Sequence, residues 1–328
     1  MRRHAVMFAL LIAAVLAPAA AHAQTPVPPA TPPPVAVPIQ TTMTVKVERV
    51  GGVRATALTG TRLRVVGTTA AFVPGQTVTV RFFAAGTKRA SKSVALQARA
   101  DGSGGFLLAY RPTRPGTLTV TATHDSTPEL GPIIAEAKAV DIIPRRVTPR
   151  SGGASIRALQ RRLLRLGYVT GSKGSFDART ARAVLAFRKV TGMARTTSAS
   201  IDVMRAIAKG KGRFVIKFRK HGRHIEADLS RQVIALIAGG RVARIYPVSS
   251  GKPSTPTVLG SYKVYSKTPG TNAKGMVDSA YFFRGYATHG YFPVPTFAAS
   301  HGCLRVPIPD ARNLFNWITI GTPVDVYP

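Results

Sequence analysis

Ser300-His301-Gly302-Cys303-Leu304-Arg305 is the stretch on which the reading of this chain turns, because it holds the only cysteine among 328 residues. A thiol becomes a strong nucleophile when a base or a positive charge helps it to ionise. His301 stands two residues before Cys303, and a second His-Gly pair, His289-Gly290, stands fourteen residues before it. Gly302 lets the backbone approach closely, so that the Cys303 N–H can point at an oxyanion, and Arg305 suits a substrate carboxylate. A lone cysteine is more often a small buried hydrophobe. An unpaired thiol in an exported chain, flanked by two histidines and an arginine, points instead to catalysis. The residues alone leave open which histidine serves as the base. Zinc is the rival use of His289, His301 and Cys303, but the spacing offers no fourth ligand, so no metal or cofactor is expected. A single cysteine also excludes an internal disulfide, an iron–sulfur cluster and a CxxC redox pair.

Outward from this motif, residues 213–328 read mostly as strands. Phe214, Ile216 and Phe218 alternate, and further strands are expected at 225–229, 233–237 and 241–248. One helix interrupts them, with Pro309 in its first turn, Leu314, Trp317 and Ile318 packed, and Gly321 as its stop before a strand around Val324 and Val326. Upstream the apolar period turns helical. Ile156, Leu159, Leu163 and Leu166 share one face that ends at Gly167. A second helix starts at the N-cap Asp177 and buries Ala183, Val184 and Phe187, and a third runs from about Ser200 through Met204 and Ile207. Between 41 and 144 the pattern is period two, as in Met43, Val45 and Val47, or Val78, Val80 and Phe82, or Leu118, Val120 and Ala122. Turn signals at Pro74-Gly75, 101–105 and Pro115-Gly116 divide it into about seven short strands of a sandwich.

The N-terminus predicts export. Arg2 and Arg3 precede an apolar run followed by Ala21-His22-Ala23, a signal peptide with its cleavage site, and the run is shorter than a bilayer span. Contact with the membrane is therefore expected only through this segment before cleavage. Residues 24–40 carry seven prolines and read as a stiff polyproline spacer. Forty-six Lys and Arg against thirteen Asp and Glu give a formal charge of +33. In an exported protein this points to anionic wall polymers rather than nucleic acid. The basic residues are densest between Arg145 and Arg195, thirteen of them against the single acid Asp177. Plain solubility is the competing account of that charge.

Leu159-Gln160, Leu163, Leu166-Gly167-Tyr168, Gly174, Phe176, Thr180, Ala183-Val184 and Phe187 resemble the three-helix peptidoglycan-binding family, departing from it at Arg188. The strand-rich segment before it resembles a bacterial immunoglobulin-like module. Residues 213–328 resemble the L,D-transpeptidase catalytic domain, also called the YkuD domain. Ser300-His301-Gly302-Cys303 with Arg305 is that family's signature, preceded by its His289-Gly290 pair. Tyr246-Pro247-Val248-Ser249-Ser250-Gly251-Lys252 with Thr255-Pro256-Thr257 and Gly260 resembles its second characteristic block. Ten residues separate His289 from Ser300, fewer than is usual, so the loop bearing Tyr291, Phe292 and Phe297 over the site is expected to be trimmed.

The N-terminal reading and the resemblances together give a multidomain chain: signal peptide 1–23, Pro-rich linker 24–40, immunoglobulin-like β-sandwich 41–144, linker 145–152, peptidoglycan-binding helical domain 153–210 and mainly-β catalytic domain 211–328. The catalytic-domain resemblance implies Cys303 as the nucleophile and His289 as the proton donor and acceptor. His301, Gly302 and Ser300 complete the catalytic set, and Arg305, Gly290 and Tyr291 meet substrate. The implied partners are the tetrapeptide stems and glycan strands of peptidoglycan, in the cell wall or periplasmic space. The implied reaction is 3→3 cross-linking through a thioester. An L,D-carboxypeptidase, a protein-to-wall attachment enzyme and a non-catalytic binding protein are the alternatives.

Overall fold

The computed structural model describes residues 37–52 and 55–328, so the expected signal peptide and residues 24–36 of the Pro-rich linker lie outside the described residues. Period-two sequence gives β1 (Met43–Glu48), β2 (Thr56–Leu58), β3 (Leu63–Thr69), β4 (Thr77–Ala84), β5 (Thr87–Ala95), β6 (Gln97–Ala98), β7 (Gly104–Tyr110), β8 (Gly116–His124), β9 (Ile133–Glu136) and β10 (Val140–Ile143). They form two sheets, β1-β3-β7-β6 and β2-β10-β8-β4-β5, with β9 on β8. Val65, Val80, Phe82, Leu118 and Val120 fill the core of this module. Ten strands replace the expected seven because pieces such as β2 and β6 are too short for alternation to show.

Helix α1 (Gly153–Arg165) ends where Gly167 takes φ +93°, a backbone conformation in which glycine avoids the Cβ clash. Helix α2 (Ala178–Val190) starts where the Asp177 carboxylate accepts the Thr180 N–H at 2.8 Å. Helix α3 (Ile201–Ala208) follows Ser200. Arg188, the departure from the family pattern, donates to the carbonyls of Ala194 and Ser198 and so ties down the α2–α3 connection. The expected linker 145–152 is no free tether. Val147 is buried and its N–H donates to the Ala199 carbonyl at 3.0 Å.

The C-terminal part holds β11 (His224–Asp228), β12 (Val233–Ala238), β13 (Arg241–Pro247), β14 (Gly260–Lys263), β15 (Ser266–Thr271), β16 (Val277–Phe283), β17 (Tyr286–Tyr291), β18 (Leu304–Pro307), helix α4 (Ile308–Trp317) and β19 (Pro323–Tyr327). Two sheets result, β13-β12-β11-β19-β14 and β15-β16-β17-β18. Residues 214–218, expected as a strand, belong to no sheet. Phe214 and Ile216 still alternate inward. The N–H groups of Lys217 and Phe218 donate to the buried Glu226 carboxylate at 2.8–3.1 Å, where a ladder would otherwise receive them. Helix α4 stops at Trp317 rather than Gly321, since Ile318 is already extended.

Strand β12 is buried on both faces. Ile234 and Leu236 pack between the two sheets with Ala280, Leu304 and Leu314, whereas Val233, Ala235 and Ile237 pack with Leu163, Tyr168, Val184 and Phe187 of the helical unit. The boundary expected near residue 210 therefore runs through one continuous core. Arg179 and Arg182 of α2 also reach the buried Asp310 of α4, at 2.8 and 2.9 Å.

Candidate active site

The site is assembled by a parallel strand pair. In the β17–β18 register Thr288 opposes Leu304, His289 opposes Arg305 and Tyr291 opposes Pro307. Side chains alternate faces along a strand, so His289, Tyr291, Cys303 and Arg305 share one face while Thr288 and Leu304 turn into the core. These four, with Lys274, Met276, Gly285 and His301, line a cleft of about 390 Å³.

Cys303 is half-buried, with its sulfur 3.7 Å from the Gly285 carbonyl. Burial pushes its thiol up from the usual 9.0, against the opposing pull of the Ala287 backbone bond and the charges of Arg305 and Lys274. His289 is buried, and burial pushes it down from the usual 6.5. Its Nδ1 lies 2.9 Å from the Gly290 carbonyl, which can only accept. Nδ1 therefore carries the proton and Nε2 is left as the basic nitrogen. Burial thus favours the uncharged form of both the thiol and the imidazole, rather than the ionised sulfur that the motif alone suggests.

The turn bearing the thiol is held from behind. Ser300 Oγ donates to the Cys303 carbonyl at 2.6 Å and accepts the Gly302 N–H at 3.1 Å. Gly302 has φ +113°, and a Cβ there would strike the Tyr286 ring. The block at 249–257 grips the same turn: Thr257 Oγ1 donates to the Gly302 carbonyl at 2.8 Å, and the Lys252 N–H donates to the Ser300 carbonyl at 2.9 Å. Ser249 and Arg305 exchange both backbone bonds at 3.0 Å.

The guanidinium of Arg305 lies 4.1 Å from the Tyr291 ring centroid, and Tyr291 meets His289 edge-on at 5.7 Å. The buried Arg305 Nε has no partner among the described residues. His301 stands exposed at the rim. Gly290 turns the other way, toward Ala311 and Ile308 of α4, where a Cβ would come within 2.6 Å of the Ala311 side chain. What it offers the site is its carbonyl, which meets the His289 ring. Phe292 and Phe297 are solvent-exposed and do not line the cleft. Lys274 and Met276 were not foreseen. They arrive on the β15–β16 turn, whose Asn272–Gly275 sequence announces a turn but not its destination. Among the described residues no three His, Cys, Asp or Glu side chains gather as a metal site.

Residues 222–326 match the YkuD family, described as the L,D-transpeptidase catalytic domain, and residues 152–207 match a peptidoglycan binding domain family. A crystal structure of the L,D-transpeptidase from Xylanimonas cellulosilytica is 31% identical, with TM-score 0.50, over 56% of this chain and 98% of that one. L,D-transpeptidase 1 of Mycobacterium tuberculosis is 28% identical over 126 residues, 30% of this chain and 48% of that protein. The chain thus spans about half the length of the curated relatives it matches.

Proposed function

Since the chain belongs to the L,D-transpeptidase family, we propose that it is an exported cysteine acyltransferase that forms 3→3 cross-links between peptidoglycan stems. The observation that carries this reading is the parallel β17–β18 register, which sets His289, Cys303 and Arg305 on one wall of one cleft. The N-terminal segment at 1–23 supports export, and the helical unit supports a seat for glycan. The overall charge of +33 favours anionic wall polymers as neighbours.

A thiol held neutral needs a base only at the moment of attack. His289 Nε2 takes the Cys303 proton as the sulfur attacks the carbonyl carbon of the third stem residue. The Gly302 N–H is occupied by Ser300 Oγ, so the Cys303 N–H is the amide that faces the developing oxyanion. The protonated imidazole then donates to the departing amine, D-Ala leaves, and a thioester remains. An amine from a second stem loses its proton to His289 and attacks the thioester, and the sulfur leaves with that proton. One amide is exchanged for another, so no nucleotide is consumed. Arg305, stacked on Tyr291, binds a carboxylate of the stem.

The test is incubation of the mature protein with purified tetrapeptide muropeptides and mass analysis of the products. Dimers with released D-Ala, absent for Cys303→Ala and His289→Ala, are expected. D-Ala without dimers would assign a carboxypeptidase. Dimers formed equally by both variants would end the reading.

A further inference from the structure

Lys189 lies on α2 of the helical unit yet ends inside the catalytic part. It is 3% exposed, and its Nζ donates to the Gln232 and Val248 carbonyls, each at 3.0 Å. Among the described residues no carboxylate is bonded to it. The like charge of Arg195 is near, Arg231 bonds the Val190 carbonyl and pairs with Asp228, and Arg188 on the same helix is engaged elsewhere. A buried ammonium without a counter-ion is costly, and an apolar side chain would pack at that point with less penalty. What an amine supplies there is two N–H donors for two carbonyls. Burial, reinforced by Arg195, lowers Lys189 to about 7, near which it becomes a neutral amine with two donors to match.

Those carbonyls begin a chain of bonds that ends at the nucleophile. Gln232 is a non-glycine residue at φ +57°, a conformation that needs support from its surroundings. Its side chain clasps Ser250, with Nε2 donating to Ser250 Oγ at 2.6 Å and Oε1 accepting the Ser250 N–H at 3.0 Å. The Ser250 carbonyl accepts the N–H groups of Ala299 and Ser300 at 2.8 and 2.9 Å, and Ser300 Oγ holds the Cys303 carbonyl. A second brace runs alongside: Arg195 donates to the Thr296 carbonyl at 3.0 Å and to the Ser230 carbonyl at 2.8 Å. Both braces come from the unit assigned to glycan, and both end on the segment between His289 and Cys303 or on the turn that backs it.

We propose that Lys189 is a positioning residue for Cys303, seconded by Arg195, so that the helical unit forms part of the frame of the reactive site as well as a binding module. The proposal rests on Cys303 being the nucleophile, but not on the identity of the substrate. The test uses the full chain and follows alkylation of Cys303 by iodoacetamide from acid to alkaline pH, with muropeptide turnover measured in parallel. Lys189→Met keeps the length of the side chain and removes its donors. It is expected to slow alkylation about tenfold while the fold survives, as small displacements of a reacting group do. The parent protein should also show a fall in reactivity below pH of about 7, where Lys189 gains a third proton with no acceptor, and the Met variant should lack that step. Arg195→Ala, at an exposed position, should lower the rate in the same direction and keeps the test open if Lys189→Met does not fold. Superimposable alkylation profiles for the parent and for every folded variant would overturn the proposal. A parent Cys303 inert to alkylation would overturn both this proposal and the function above. Normal variant effects on alkylation with no muropeptide turnover would overturn only the function.

Discussion

Cys303 and His289 are shifted in opposite directions by the same cause, burial, and each is thereby kept uncharged at rest. A base depressed below 6.5 stays available into mildly acidic solution, and a thiol raised above 9.0 stays protonated well into alkaline solution. Acylation of the parent protein by a carbapenem, followed by mass spectrometry, should therefore stay level above neutrality and fall in acid in two stages, as Lys189 gains its proton near pH 7 and as His289 does below 6.5. In His289→Ala the same rate should instead climb only with ionisation of the thiol, above pH 9.0, and a parent profile that does so would show that the imidazole takes no proton. For His289 the linkage to stability has a definite sign. Its folded value is the lower one, so its contribution is complete above 6.5 and fades as pH falls through that lowered value. The motif residues were legible in the sequence, but their charge state was not, because desolvation depends on elements far along the chain.

At the scale of elements, the turn before β18 is set by conformations that other residues resist. Gly302→Ala combines a left-handed φ with a Cβ driven into the Tyr286 ring, a strain of about 1–3 kcal/mol before any repacking. We expect a folded protein by circular dichroism in which Cys303 labelling falls by an order of magnitude or more. Unchanged labelling would mean that the turn tolerates displacement. Cys303, Arg305 and Gly302 could be picked out by residue type, and the start of α2 at Asp177 by its capping chemistry. Lys274, Met276 and the outward turn of Gly290 could not, since all three follow from strand register, which one chain does not spell out. The strand expected at 214–218 failed for a related reason: alternation reports an extended backbone with one buried side, and here the partner is the Glu226 carboxylate rather than another strand.

Across the whole molecule, the apolar run of β12 matters most. A strand exposed on one side alternates, whereas Val233-Ile234-Ala235-Leu236-Ile237 does not, and each of these residues is fully buried. That run already announced a cover on its second face, although the sequence did not say that the helical unit supplies it. Ile237→Ala is expected to cost about 2–5 kcal/mol, as large-to-small changes in a core do. The loss should appear as a downward shift of one shared urea transition, followed both by fluorescence of Trp317 in the catalytic part and by far-ultraviolet signal from the helices. Two separate transitions, with only one displaced, would show that the two units fold independently. A fragment starting near residue 213 would uncover Val233, Ala235 and Ile237 together with Ile245, a hydrophobic strip suited to self-association. Anyone recombining such enzymes would find that this seam forbids simple exchange, because a foreign anchor brings no matching knobs for it, and the graft must carry the β12 strip with it or begin by redesigning that strip for water.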